Sequence, residues 1–119
     1  MEVECFRSYS DNVWTNVGPL HDGLLVSPAL SPPHHVSNYV RLPPNTSKGL
    51  SYTDVNTFVF LVLEGELTVI ITDNKITDNK FTARAGDTFY VPKDHKYDLI
   101  NQTQQRTELF VIQYKTITK

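Results

Sequence analysis

The chain has 119 residues, 39 % of them hydrophobic and 20 % charged, which suits one globular domain with a sizeable core and excludes a disordered tail. Eleven basic residues against 13 acidic ones give a formal charge of −2, and the basic residues are scattered singly, so direct DNA binding by this domain is not expected. The single cysteine, Cys5, excludes an internal disulfide and suits a reducing compartment, while no apolar run is long enough for a membrane helix and residues 1–7 lack the pattern of a signal peptide.

The first third is irregular. Residues 24–28 carry a short strand pattern, and residues 31–35, with adjacent prolines, read as loop. Residues 36–42 alternate, with Val36, Val40 and Leu42 on one face, and residues 43–49 read as a turn or loop. Residues 58–63 form a strand that is apolar on both faces. Glu64-Gly65-Glu66 then allows a bend or bulge, and residues 67–72 alternate with Leu67, Val69 and Ile71 inward. The near-duplicates Thr72-Asp73-Asn74-Lys75 and Thr77-Asp78-Asn79-Lys80 read as an exposed hairpin tip. Further strands are expected at 81–85, 88–91, 96–100 and 108–114, with a polar loop at 101–105. No long amphipathic helix pattern occurs, so the fold class is all-β, an antiparallel sandwich or barrel. Residues 1–35 are expected to be an N-terminal arm or partial sheet extension, and residues 36–119 the barrel.

Two strands carry more apolar surface than one sheet face needs. Phe58, Phe60 and Val62 point one way and Val59, Leu61 and Leu63 the other. Leu109 and Val111 oppose Phe110, Ile112 and Tyr114. A sheet with one solvated face shows polar residues there, so something covers the outer face: the N-terminal third, a second copy of the chain, or both. Because the pattern does not say which face is external, the candidate dimer interface is drawn from both: Phe58, Phe60, Leu61, Leu63, Phe110, Ile112 and Tyr114. Trp14 and Tyr39 are candidates for docking a partner.

Residues 61–67 and Gly86-Asp87-Thr88-Phe89-Tyr90-Val91-Pro92 resemble the two signature stretches of the cupin superfamily, a double-stranded antiparallel jelly roll. Gly65, Gly86, Pro92 and Asn101 stand at fold-shaping positions of the two motifs. The positions that bind metal in the superfamily fall on Phe58, on Tyr97 and near Tyr52 and Asp54, and none matches the motif's ligands. Asp94 replaces a motif glycine, so that turn is expected to differ. His95 lies two residues before a ligand position, His34 and His35 diverge in a loop, and His21 stands alone. A stable site needs three or four converging ligands, so no metal and no other cofactor is expected. Tyr52, Asp54, Tyr97 and Asp98 form no clear acid/base pair, and no catalytic residue is assigned.

Within the superfamily, residues 36–115 resemble the C-terminal dimerisation domain of the CENP-C family of inner-kinetochore scaffolds. The similar stretches are residues 60–65, 86–92 with Tyr97 and Asn101, and 109–115. The resemblance implies a nuclear, centromeric or kinetochore location, a homodimer without catalysis, and a partner from centromeric chromatin assembly or the kinetochore. The family's arginine-bearing nucleosome-binding segment is not found; residues 7–14 are at best a distant echo. Two other readings stay open: a metal-dependent or sugar-modifying small-molecule cupin enzyme, and a structural cupin unrelated to centromeres.

Overall fold

The computed structural model describes residues 7–17, 24–31, 35–72 and 78–115. Cys5, His21, His34 and the centre of the expected hairpin tip, residues 73–77, lie outside the described residues.

Among the described residues, a 3-10 turn, Tyr9–Asp11, precedes eleven strands. These are β1 (Thr15–Asn16), β2 (Leu25–Pro28), β3 (His35–Leu42), β4 (Thr46–Ser47), β5 (Ser51–Tyr52), β6 (Asn56–Glu64), β7 (Glu66–Thr72), β8 (Asp78–Arg84), β9 (Thr88–Val91), β10 (Lys96–Asn101) and β11 (Thr107–Lys115). One sheet has the order β1-β2-β3-β11-β6-β9. The other has the order β4-β10-β7-β8, with β5 also pairing β10. Every pairing is antiparallel. The result is the expected double-sheet jelly roll. The turn expected at 43–49 contains the short strand β4, because Ser47 and Thr46 find register partners in Ile100 and Asn101.

Alternation decides which side chains enter the space between the sheets. Val40 and Leu42 of β3, Phe60 and Val62 of β6, Leu109 and Val111 of β11 and Val91 of β9 line one wall. Leu67, Val69 and Ile71 of β7 with Tyr97 and Leu99 of β10 line the other. All are buried, and burial of this apolar area is the main favourable term holding the sheets together.

The fold-shaping positions act on backbone. Gly65 joins β6 to β7 at φ +84°, and a Cβ there would sit 2.7 Å from Thr107 Oγ1 and 2.8 Å from the Arg106 carbonyl oxygen. Glycine is therefore needed both for the left-handed conformation and for the close approach of β11. Gly86 has φ +92° but open space around it, so only the conformation requires glycine. Asn101 is fully buried. Its Nδ2 reaches the carbonyl oxygens of Leu42, Pro43 and Gln105 at 2.7–3.1 Å, and its Oδ1 accepts from the backbone N–H and hydroxyl of Thr103. One side chain thus ties the end of β3 to the polar loop before β11. The Thr53 hydroxyl donates to the Pro92 carbonyl at 2.8 Å and its oxygen accepts from the His95 N–H at 3.0 Å, so the loops after β5 and β9 are clamped together.

Asp94 replaces the motif glycine without leaving glycine's region of backbone space. Asp94 holds φ +62°, the left-handed conformation for which glycine is the usual residue and which aspartate tolerates. Its N–H donates to the Asp54 carbonyl, and its carboxylate accepts from the Tyr52 hydroxyl.

Candidate interaction surface and barrel interior

The two ligand positions carried by β6 and β10 do converge inside the barrel. Phe58 and Tyr97 have ring centroids 5.8 Å apart, and Phe60 lies 6.0 Å from Tyr97. Phe89 stacks on Phe60 at 4.8 Å, and Phe81 meets Phe89 edge-on at 5.5 Å. Aromatic rings therefore fill the space where the superfamily motif would place metal donors. Burial, with a smaller effect from Asp98, pushes the Tyr97 phenol up to about 12. Lys48 closes one side of this cluster, its Nζ 4.7 Å from the Tyr97 ring centroid and 2.6 Å from Ser51 Oγ. Burial lowers the Lys48 pKa, against the pull of Asp98. Asp98 itself accepts from the Ser47 hydroxyl and the Gly49 N–H.

The remaining ligand positions lie outside this cluster. Tyr52 and Asp54 are exposed, and the Tyr52 pKa is raised by its hydrogen bond to Asp94. The His95 ring bonds the Lys93 carbonyl through Nδ1 at 2.8 Å, and His35 sits at the exposed start of β3. Among the described residues no group of three or more His, Cys, Asp or Glu is placed to hold a metal. The donor set does not fit a metal ion.

The outer face of the six-stranded sheet is the other apolar region. In register across the strands, Ser27, Tyr39, Phe110, Leu61 and Thr88 form one row, and Ser37, Ile112, Val59 and Tyr90 the next. Of the candidate interface residues, the structure brings Leu61, Leu63, Phe110, Ile112 and Tyr114 to this face. Phe58 and Phe60 are not there: both point inward, Phe60 with 2 % of its surface exposed, so neither is available to a second copy. Val59 and Tyr90 complete the face instead. Val59 follows from strict alternation along β6; Tyr90 requires knowing that β9 pairs with β6.

Residues 7–17 cover half of this face. Tyr9 meets Tyr39 edge-on at 5.3 Å, Trp14 meets it at 6.5 Å, and Tyr39 leans on Phe110 at 5.1 Å. The two docking candidates, Trp14 and Tyr39, thus pack on each other. Beside them Arg41 Nε pairs with Glu108 at 2.7 Å, and the Arg41 guanidinium lies 3.7 Å over the Trp14 ring. The Tyr9 hydroxyl lies 2.7 and 2.8 Å from the two Glu108 oxygens and accepts from Arg41 Nη2 at 3.0 Å. Sequence reasoning missed Tyr9, Arg41 and Glu108. Only the register of β3 against β11 sets Arg41 opposite Glu108, and no local pattern carries that pairing.

The double sheet, its motif glycines and the filled barrel define a cupin domain built without the superfamily's ligand set. The family profile described as Mif2/CENP-C like matches residues 26–113, and the chain belongs to that family. The fold is similar to the cupin domain of Schizosaccharomyces pombe Cnp3 (TM-score 0.79, 16 % identity, covering 94 % of this chain and 74 % of that one). It is also similar to Drosophila melanogaster CENP-C in a structure bound to CAL1 (TM-score 0.78, 17 % identity, 92 % and 85 % covered). KdgF from Halomonas sp. shares the fold as well (TM-score 0.79, 13 % identity, 97 % and 96 % covered). No curated protein matches the sequence.

Proposed function

We propose that the chain is a non-enzymatic homodimerisation and protein-docking domain of a nuclear centromere or kinetochore scaffold, one that supports recruitment or deposition of centromeric chromatin factors. The carrying observation is the half of the outer sheet face that residues 7–17 leave uncovered. Val59, Leu61 and Ile112 are half-buried there, and Leu63, Tyr90 and Tyr114 are 39 %, 61 % and 40 % exposed. A contiguous apolar face of this kind on a small domain marks an interaction site, and a second copy offers the same face for a two-fold contact. A stable interface of this class removes about 1,500 Å² from water. Joining two long chains at one end raises the avidity of every other module they carry.

Residues 36–119 form the barrel in this reading, and residues 1–35 supply an arm and sheet extension. Family membership supports the kinetochore setting, and the CAL1 complex of the Drosophila relative supports a docking role. A metal-dependent or sugar-modifying enzyme would need converging donors, and the rings of Phe58 and Tyr97 hold those positions.

Light scattering on a size-exclusion column tests the dimer. The parent chain is expected at about twice 13.6 kDa over a wide concentration range, and Leu61→Glu or Ile112→Glu at half that mass with an unchanged far-UV spectrum. A parent chain that runs as a monomer throughout would sink the proposal, as would a folded Leu61→Glu chain that stays dimeric.

A further inference from the structure

The two halves of the outer sheet face differ in charge as well as in cover. The rows through Leu61 and Thr88 and through Val59 and Tyr90 carry no charged group at those positions. The covered half carries the Arg41–Glu108 pair, with side chains only 18 % and 6 % exposed. Tyr9 and Trp14 of residues 7–17 lie directly on that pair. The arm belongs to the same chain, since β1 pairs with β2 through Thr15↔Val26 and Asn16↔Leu25, and the Val17 N–H donates to the Leu24 carbonyl.

Backbone pairing holds the arm weakly. The turn Tyr9–Asp11 buries no residue, and both residues of β1 are exposed. Two buried donors of the arm, Arg7 Nε and Asn12 Nδ2, have no hydrogen-bond partner. The seat therefore depends on side chains: Tyr9 and Arg41 on Glu108, Trp14 under Arg41, and the buried Ser27 hydroxyl, which donates to Asn12 Oδ1 and accepts from the Val13 N–H.

We infer that the Tyr9–Glu108–Arg41–Trp14 network is a specificity latch for self-association: it seats the arm and confines a second copy of the chain to the β6–β9 half of the outer face. The inference rests on the dimerisation reading. Its physical basis is asymmetric. Tyr9 satisfies the buried carboxylate, and Trp14 covers the guanidinium. A second copy landing on the same half would bury both charges with apolar side chains and restore neither contact. Taking this ion pair out of water with its remaining hydrogen bonds unmet costs desolvation of both charges, so the wrong docking mode is penalised even when the arm is absent. The neutral half carries no such penalty.

Two variants of the full chain separate these roles. Tyr9→Ala/Trp14→Ala releases the arm and keeps the charges. It is expected to bind a hydrophobic dye about three-fold more than the parent and to keep the parent's mass in light scattering. Adding Arg41→Met and Glu108→Leu removes the penalty and opens a face freed of the Arg41–Glu108 charges, with a mass at least about twice the parent's at high concentration. A larger mass for the first variant, or a parental mass for the second, overturns the latch. The parent's own mass decides the dimerisation reading, whereas the latch is judged on the variants relative to the parent, so the two fail separately. Should the fourfold variant not fold, thiol reactivity at Ser27→Cys in a Cys5→Ser background reads the seat directly. The conservative change Glu108→Gln is expected to speed labelling there about ten-fold, and equal rates overturn the latch.

Discussion

The barrel interior and the outer face of the six-stranded sheet are both apolar, and strand β6 supplies both. Phe58, Phe60 and Val62 face Tyr97 and Leu99 of the opposite sheet, and burial there is a condition of folding. Val59, Leu61 and Leu63, one residue out of phase, face away from that core and are covered in part or not at all. The first set is matched by the fold itself, the second only by an arm or a partner. The difference teaches where each kind of specificity lies. Ligand positions of a cupin can be filled with rings at no cost to the scaffold, because stacked aromatics satisfy a core as well as any apolar residue. The outer face keeps apolar side chains that the monomer's own core does not use.

The sharpest way to break this comparison is Phe60→Ala. It empties the centre of the aromatic cluster and is expected to cost about 3–5 kcal/mol in a denaturant melt, against much less for Val59→Ala outside. Equal losses would mean that the two faces are not distinct. Gly65→Ala comes next, at about 2–4 kcal/mol, because it combines a left-handed φ with a clash against Thr107 and the Arg106 backbone. Gly86→Ala, with the same φ problem but free space, should cost about 1 kcal/mol.

The interior also predicts an alkaline signature. Tyr97 is raised to about 12 in the fold, while the unfolded chain titrates near its ordinary value of about 10. Its contribution is intact below pH 10 and is lost as pH rises toward 12, since the unfolded state gives up the proton first. At pH 11 the parent should lose about 1 kcal/mol that Tyr97→Phe keeps, measured as the difference between the two melts at pH 8 and pH 11. The smallest effect on the fold belongs to Leu61→Glu, under about 1 kcal/mol in the melt of the monomeric variant, although in the proposed dimer its effect is the largest. A collapse of the fold there would place Leu61 in the core after all.

Much of this architecture was legible in the strands. The alternation at 67–72 put Leu67, Val69 and Ile71 inward, where they are buried. The doubly apolar run at 58–63 showed that a second covering was needed, yet periodicity of two cannot say which face looks in, and Phe58 and Phe60 consequently entered the interface set. Asp94 shows the opposite limit. The residue change was visible, but not that Asp94 would take the left-handed backbone usual for glycine, which aspartate reaches and holds here with partners in Tyr52 and Asp54.

By itself, the sequence determined the succession of the longer strands, the glycine and asparagine positions that shape the turns, and the absence of the superfamily's donors from its ligand positions. These are local properties, set by side-chain alternation and by which residue types tolerate a given backbone. Only the tertiary structure decided that Tyr9, Trp14, Arg41 and Glu108 meet. They come from residues 99 positions apart, brought together by the register of β3 on β11 and the return of the arm along β2. Such contacts depend on non-local pairing, and a one-residue slip in either register would turn each of these side chains to the other face.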